Sequence, residues 1–513
     1  MQAFSRPPQA RPVTATGVQP SAPTGKHPPI ASLARWPVVS LAAGVGLVLL
    51  LASGRVGYFC DELYFLAAGH HADWGYADQG PLVPLLARAM DTVFPGSLVG
   101  LRLPVTVLSA VGVMVAALVA REFGARRRAQ VLTAGAYAMG TLVGGHTLNT
   151  ATVDMLVWTL ATWLLVRWVR LRDDRLLLAL GGLTAIALQN KWLIVAFWLA
   201  VGVSVLVVGP RELLRRPALW LGAAIATLVT LPALFWQAHH GWPQLTVAQA
   251  IANDEFLGGR LVRLAFLPLA LASAGILLGA ALMCYGLWRL LRSPELRPYR
   301  FLGWTFLGLI VVFLITGGRY YYVAGLFAVC WAAGAVELQR REPACWWRWV
   351  LSWPVYVLSA VIALTMLPVL PASWPTPAKL GSLLMLGWPE ETDTVTGAYR
   401  ALPPASQHNT VVVAEWYWDA AAIDRFGPAR GLPQVYSAHR GYWYFGGPPE
   451  DAGTVLFVGS DPASLGRFFT EVHQVATVTT GPMMNLFSRP TPVWFCSGQR
   501  APWSRLWPQL RHL

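Results

Sequence analysis

The run Phe59-Cys60-Asp61-Glu62-Leu63-Tyr64 puts two adjacent carboxylates at the start of an apolar stretch, FCDELYFLAAG. At the mouth of a helix bundle such a pair can do two kinds of chemistry. One acid can be desolvated into a general base while its neighbour supports it, or Asp61 and Glu62 together can hold a divalent metal ion. The plainer reading is an acidic pair that caps a helix or faces solvent. Tyr64, His70 and His71 follow closely and are candidates to line a substrate, although a His-His pair at this position also reads as interfacial. Asp154, inside ATVDMLVWTL, is a third acid. A carboxylate at the edge of a bilayer-crossing helix is costly unless it faces a polar cavity, so it is a site candidate; the alternative is a helix N-cap, a role for which Thr150 and Thr152 compete. Lys191 in LQNKWLI and Arg319 in TGGRYYYVAG could bind an anionic lipid phosphate or merely snorkel to the interface. Tyr320, Tyr321 and Tyr322 suit a sugar platform and an aromatic belt equally well.

The elements that must position these groups belong to a membrane protein. Of 513 residues, 55% are hydrophobic and 12% charged, which is too apolar for a water-soluble body of this size. Eleven apolar runs of spanning character lie at about Trp36–Gly54, Leu101–Ala120, Ala129–Gly145, Val153–Val169, Leu176–Leu188, Trp192–Gly209, Ala218–Trp236, Leu264–Leu291, Phe301–Gly318, Tyr320–Val336 and Trp349–Leu370. No internal repeat or central pair of broken helices, of the kind that marks many secondary transporters, is visible among them. With the N-terminus inside, the inner segments carry 22 Lys and Arg and the outer ones seven. That asymmetry follows the positive-inside rule and leaves everything after Pro371 on the outer side of the membrane. Lys191 and Arg319 then stand on the disfavoured side of the membrane, which is why they call for an anionic partner.

The net charge of +14 does not indicate nucleic acid. Up to Pro371 there are 29 Lys and Arg against 15 Asp and Glu, and beyond it 10 against 10, so the excess flanks apolar runs and forms no basic stripe. Five cysteines show no CxxC pair, which points away from a zinc module. The expected organisation is a disordered cytoplasmic tail over residues 1–35, a membrane module over 36–371 with an outer loop at 55–100, and an extracytoplasmic domain over 372–513. In that last domain TVVVAEW and TVLFVGS read as buried strands, and DAAAIDRFG and ASLGRFFTEV as helices, so the domain is α/β. Its loop YSAHRGYWYFGGPP reads as a packed aromatic surface or as a sugar contact. The fold class is therefore mainly α, a polytopic bundle of about 11 spans with a C-terminal α/β domain.

Taken in order along the chain, Asp61-Glu62, GYADQGPLVPLLAR, Asp154, the Lys191 segment and GGRYYY resemble the GT-C glycosyltransferases of the family 39 type, the superfamily of protein O-mannosyltransferases and aminoarabinose transferases. The resemblance implies a polyprenyl-monophosphate sugar donor used on the outer face of the bacterial inner membrane. The acceptor hydroxyl would belong to a glycan, lipid or protein. Asp61 then becomes the base, Glu62 its support or a metal ligand, Asp154 a wall of the same cavity, and Lys191 and Arg319 the donor-phosphate ligands. Direct displacement with inversion would follow. The sequence departs from better-known members in lacking a large luminal domain and in carrying Arg319 where a lysine is usual. A transporter or flippase for a lipid-linked sugar is the rival reading, and a noncatalytic envelope scaffold a third.

Overall fold

The computed structural model describes residues 30–142, 144–252, 259–341, 349, 352–369, 382–460 and 462–513. The expected tail before residue 30 and the expected domain boundary at residue 371 lie outside the described residues. The chain folds as a bundle of apolar helices carrying a small sheet domain at one end. Helix α1 (Arg35–Ser53) buries Val38, Ala42, Val45, Leu49 and Ala52, a stripe at helical spacing, while Trp36, Leu47 and Leu51 face outward. One apolar stripe turned inward and another turned outward is how a helix sits between protein and lipid. Helix α1 packs on α4 (Leu98–Glu122), and α4 packs on α5 (Arg127–Leu142) and α6 (Thr150–Leu171). Helices α7 (Arg175–Asn190) and α8 (Leu193–Val208) follow. Two short helices, α2 (Cys60–His70) and α3 (Leu82–Val93), lie between α1 and α4, in the segment that the charge asymmetry of the sequence assigns to the outer loop.

Among the described residues six helices are long and apolar enough to cross a membrane, seven with one bent pair, and three more are shorter. The eleven expected runs are each recognisable as helix, but length and composition support fewer as full spans. The run over Leu264–Leu291 differs most. It is two helices, Gly259–Ser273 and Ile276–Arg292, whose axes turn by 102° between them. The turn is made by Gly275 at φ 87° and Ile276 at φ 58°, and a Cβ on Gly275 would press on the Ala136 carbonyl. The expectation of one continuous span over Leu264–Leu291 is thus corrected. The bend is single, without a counterpart among the described residues. Beyond it, Ile276–Arg292 crosses Phe327–Arg340 so closely that a Cβ on Gly286 would overlap the Cys330 carbonyl. Near that crossing Arg289 and Glu337 form a buried ion pair, and Glu122 similarly takes Arg167 and Arg170.

The C-terminal sheet has the order β2-β1-β3-β5-β4, from β1 (Thr410–Ala414), β2 (Val435–Ser437), β3 (Thr454–Val458), β4 (Phe469–Val478) and β5 (Thr491–Gln499). β1 runs parallel to β2 and β3, with Val412 opposite Val435 and Leu456. β5 is antiparallel to β3 and β4. Alternation divides β1 between two cores. Val411 and Val413 pack with Trp503 and Leu506, whereas Val412 and Ala414 pack toward the helix Tyr417–Phe426 and the bundle. The expected helix over ASLGRFFTEV is a correction: only Pro462–Leu465 is helical and Phe469 onward is β4. After Gly466 the sequence FTEVHQVATV is rich in Val and Thr, and Phe469 and Val478 are its buried ends, so sheet pairing with β5 prevails over helix.

Gly286→Leu should force these two helices apart at a cost of about 1–3 kcal/mol. A melting temperature measured in detergent checks it, and an unchanged value would show that the crossing relaxes freely.

Candidate active site

Helix α2 begins where Glu62 turns back to accept a hydrogen bond from the Phe59 backbone N–H at 2.8 Å, a capping interaction of the N3 residue. The same carboxylate is wholly buried and faces Arg102 of α4, also wholly buried. Arg102 Nε donates to Oε1 at 2.8 Å and Nη2 to Oε2 at 2.7 Å. The Leu148 N–H adds a further donor to Oε1 at 2.8 Å. The guanidinium spends its remaining donors on the carbonyls of Ser53 and Gly57, at 2.6 and 2.8 Å. Four donors saturate the two oxygens of Glu62, so it ties α1, α2, α4 and the loop before α6 together and has no lone pair directed at a metal.

Asp61 is one residue earlier and therefore about 100° away around the helix. Its Oδ1 accepts the Tyr417 hydroxyl at 2.8 Å, and Oδ2 has no hydrogen-bond partner among the described residues. Burial pushes the Asp61 carboxyl above the usual carboxylate range, opposed by the Tyr417 hydrogen bond and the charges of Lys191 and Arg440. Asp78, from GYADQGP, accepts the buried Tyr64 hydroxyl at 3.0 Å, and burial raises it in the same way. Asp154 accepts from Asn190 Nδ2 at 2.8 Å, and the same amide donates to the Thr150 carbonyl at 3.0 Å. The N-cap of α6 is Asn149, whose side chain accepts from the Thr152 N–H at 2.8 Å. Asp154 is therefore a turn inside the helix and is not its cap, and neither threonine takes that role.

Lys191 joins α7 to α8, and its ammonium lies 5.0 Å from the centre of the Tyr322 ring, with no hydrogen-bond acceptor among the described residues. Its charge is felt at Asp61, Asp78 and Asp154, so the three acids share the field of one cation. Lys191, Asp78 and Tyr322 line a cavity of about 580 Å³ whose walls also include Leu193, Val247 and Phe313. Asp61 and Asp154 lie beside this cavity and are not part of its lining.

Other candidates sit further out. Arg319 is the N-cap of the 3-10 turn Tyr320–Leu326, next to Gly317 and Gly318 of the cavity wall. Tyr320 and Tyr321 meet edge to face at 5.3 Å, Tyr321 partly exposed. His70 is exposed, and His71 stacks on Phe445 at 4.6 Å, so these histidines face the C-terminal domain and not the cavity. Sequence reading overlooked Tyr417, Arg440, Asn190 and Asp78's contact with Tyr64. For the first two a signal existed: both follow the carboxyl ends of adjacent parallel strands, where α/β domains place functional groups. Arg440 holds its backbone at φ 47°, and Gly441 lets the loop meet Tyr64, since a Cβ there would overlap the phenol oxygen. Among the described residues no three His, Cys, Asp or Glu side chains come together as a metal set. With Glu62 saturated and Asp61 between two cations, the donor set does not fit a divalent ion.

Residues 78–236 match the family model described as dolichyl-phosphate-mannose-protein mannosyltransferase. The matched segment contains Asp78, Asp154 and Lys191. Across the chain the backbone is similar to ArnT from Cupriavidus metallidurans bound to undecaprenyl phosphate, with a TM-score of 0.57 and 16% identity over 89% of this chain and 97% of that one. The chain has the fold of the GT-C glycosyltransferases. The apo state of the same ArnT aligns over the same shares at a TM-score of 0.52 and 16% identity. No curated protein matches the chain. In this GT-C fold the outer loop with α2 and the C-terminal sheet domain meet over the acids.

Glu62→Ala should destabilise the protein by about 3–5 kcal/mol, because Arg102 is left buried and uncompensated. Asp61→Asn should leave the melting temperature unchanged. Equal melting of both variants would mean that Glu62 is not the structural member of the pair.

Proposed function

We propose that the protein transfers a sugar from a polyprenyl-monophosphate carrier to an acceptor hydroxyl on the outer face of the bacterial inner membrane. The observation that carries this reading is one arrangement among the described residues: a carboxylate with an unengaged oxygen, Asp61, in the field of a lysine without an acceptor, Lys191, which lines a cavity with largely apolar walls. The undecaprenyl phosphate bound to ArnT has the matching shape, an anionic head on an isoprenoid tail. Lys191 neutralises the donor phosphate, with Arg319 as a second ligand from the edge of the same wall. Asp61 takes the proton of the acceptor hydroxyl as its oxygen attacks the anomeric carbon. The carbon–oxygen bond to the phosphate breaks on the opposite side, the sugar inverts, and polyprenyl phosphate leaves. Asp154, through Asn190, keeps the α6–α7 wall and Lys191 in register. Tyr64, held on Asp78, shapes the acceptor side. The transporter reading gains little from the single bend at Gly275, which has no inverted partner among the described residues.

Purified protein in nanodiscs, given radiolabelled polyprenyl-phosphate sugar and an envelope extract as acceptor, tests this. Asp61→Asn should lower transfer by about 10²–10⁴-fold with folding intact. Equal turnover by wild type and variant would reject Asp61 as the base. Lys191→Ala should weaken polyprenyl-phosphate binding by about 10-fold or more, as loss of a charged hydrogen bond does. If instead binding is kept and only the reaction of bound donor slows, Lys191 does not hold the phosphate.

A further inference from the structure

We propose that Tyr417 is a positioning residue for Asp61, so that the C-terminal domain supplies part of the active site. The proposal rests on the reading of Asp61 as the base. Tyr417 is the first residue of the helix that follows β1, and its hydroxyl reaches 356 residues back along the chain to Asp61 Oδ1. Its ring is fixed from several sides. Tyr64 meets it edge-on at 5.2 Å, His439 stacks on it at 5.4 Å, and the Arg440 guanidinium carbon lies 5.8 Å from its centre. The Tyr417 N–H also donates to His439 Nδ1 at 3.2 Å. His439 is itself wholly buried and backed by His512, 5.0 Å away, and the backbones of Ala438 and Arg440 pair with His512 at 3.1 and 3.0 Å. The phenol therefore cannot swing away without unpacking the end of the sheet domain. With Oδ1 held, Oδ2 of Asp61 has one direction in which to take a proton.

Several other groups face Asp61. Cys60 and Glu62 belong to its own helix, and Tyr64 and Asp78 to the same outer loop. Lys191 comes from the α7–α8 junction, Tyr321 from the 3-10 turn, and Arg440 from the loop after β2. Among the described residues Tyr417 is the one that donates an O–H to the carboxylate. Its removal leaves burial less opposed, so the carboxyl ionises at higher pH, and a reaction that needs the ionised base loses its low-pH activity first.

The test uses the full-length protein in nanodiscs with the labelled donor and envelope extract. Tyr417→Phe should move the acidic limb of the kcat/KM profile up by about one pH unit, at an unchanged melting temperature. In an Asp61→Asn background the same substitution should cause no further loss, because the two act as a unit. A limb that stays in place, or a loss that multiplies that of Asp61→Asn, overturns the proposal, whether or not the variant melts earlier. Wild-type protein that transfers no label removes the underlying reading of the function, and the proposal with it.

Discussion

Taking a carboxylate and a guanidinium out of water costs several kcal/mol per ion, and mutual attraction offsets this only where every remaining donor and acceptor is used. Glu62 and Arg102 meet that condition, with backbone groups at Phe59, Leu148, Ser53 and Gly57 completing the set. Those groups come from the end of α1, the turn into α2, and the loop before α6, while Arg102 itself is on α4. A hydrophobic residue at either position could fill the volume but could not specify which four segments meet. The pair therefore fixes the angle at which α2 leaves the membrane, and with it the direction in which Asp61 points. The electrostatics around Asp61 depend on that placement. Two acids, Asp61 and Asp78, face two cations, Lys191 and Arg440, with Asp154 on the far side of Lys191. Under the proposed function a donor phosphate would add negative charge beside Lys191 and make the neighbouring carboxylates harder to ionise, a cost the cations would have to offset for Asp61 to act as a base.

Much of the membrane module was legible in the sequence because a bilayer imposes a length and a composition on each crossing. The acids were legible too, since Asp and Glu are conspicuous in apolar surroundings. What could not be read was the division of labour within the pair. Asp61 and Glu62 are chemically alike and adjacent, and only the partner of each, Tyr417 or Arg102, separates the candidate base from the structural anchor. Asp154 raised the same difficulty on a smaller scale: Asn149, five residues earlier, had to be recognised as the cap before Asp154 could be placed inside the helix. The bend at Gly275 escaped because one glycine in a long apolar run is a weak signal, and its positive φ is decided by packing against α5, where a Cβ would press on the Ala136 carbonyl. In the C-terminal domain β1 and β3 were plain as short apolar runs, whereas β4, exposed over most of its length, offered no such run and was mistaken for helix.

The sheet domain is fastened to the loop over residues 55–100 by several side chains. The Trp388 indole donates to the Tyr58 carbonyl at 2.9 Å, Arg425 forms a two-point ion pair with Asp91, and Phe445 covers His71. These contacts surround the Tyr417–Asp61 hydrogen bond and use residues from both ends of the outer loop, Tyr58 before α2 and Asp91 at the end of α3. The loop over residues 55–100 is consequently clamped twice, from beneath by Glu62–Arg102 and from above by the domain. Each clamp alone leaves α2 free to tilt about the other. Together they hold a helix of only 11 residues, too short to be stable by itself, at the angle the site requires. The C-terminal domain belongs to the architecture of the site for the same physical reason as the ion pair: the residue that must be placed accurately sits on an element that cannot place itself.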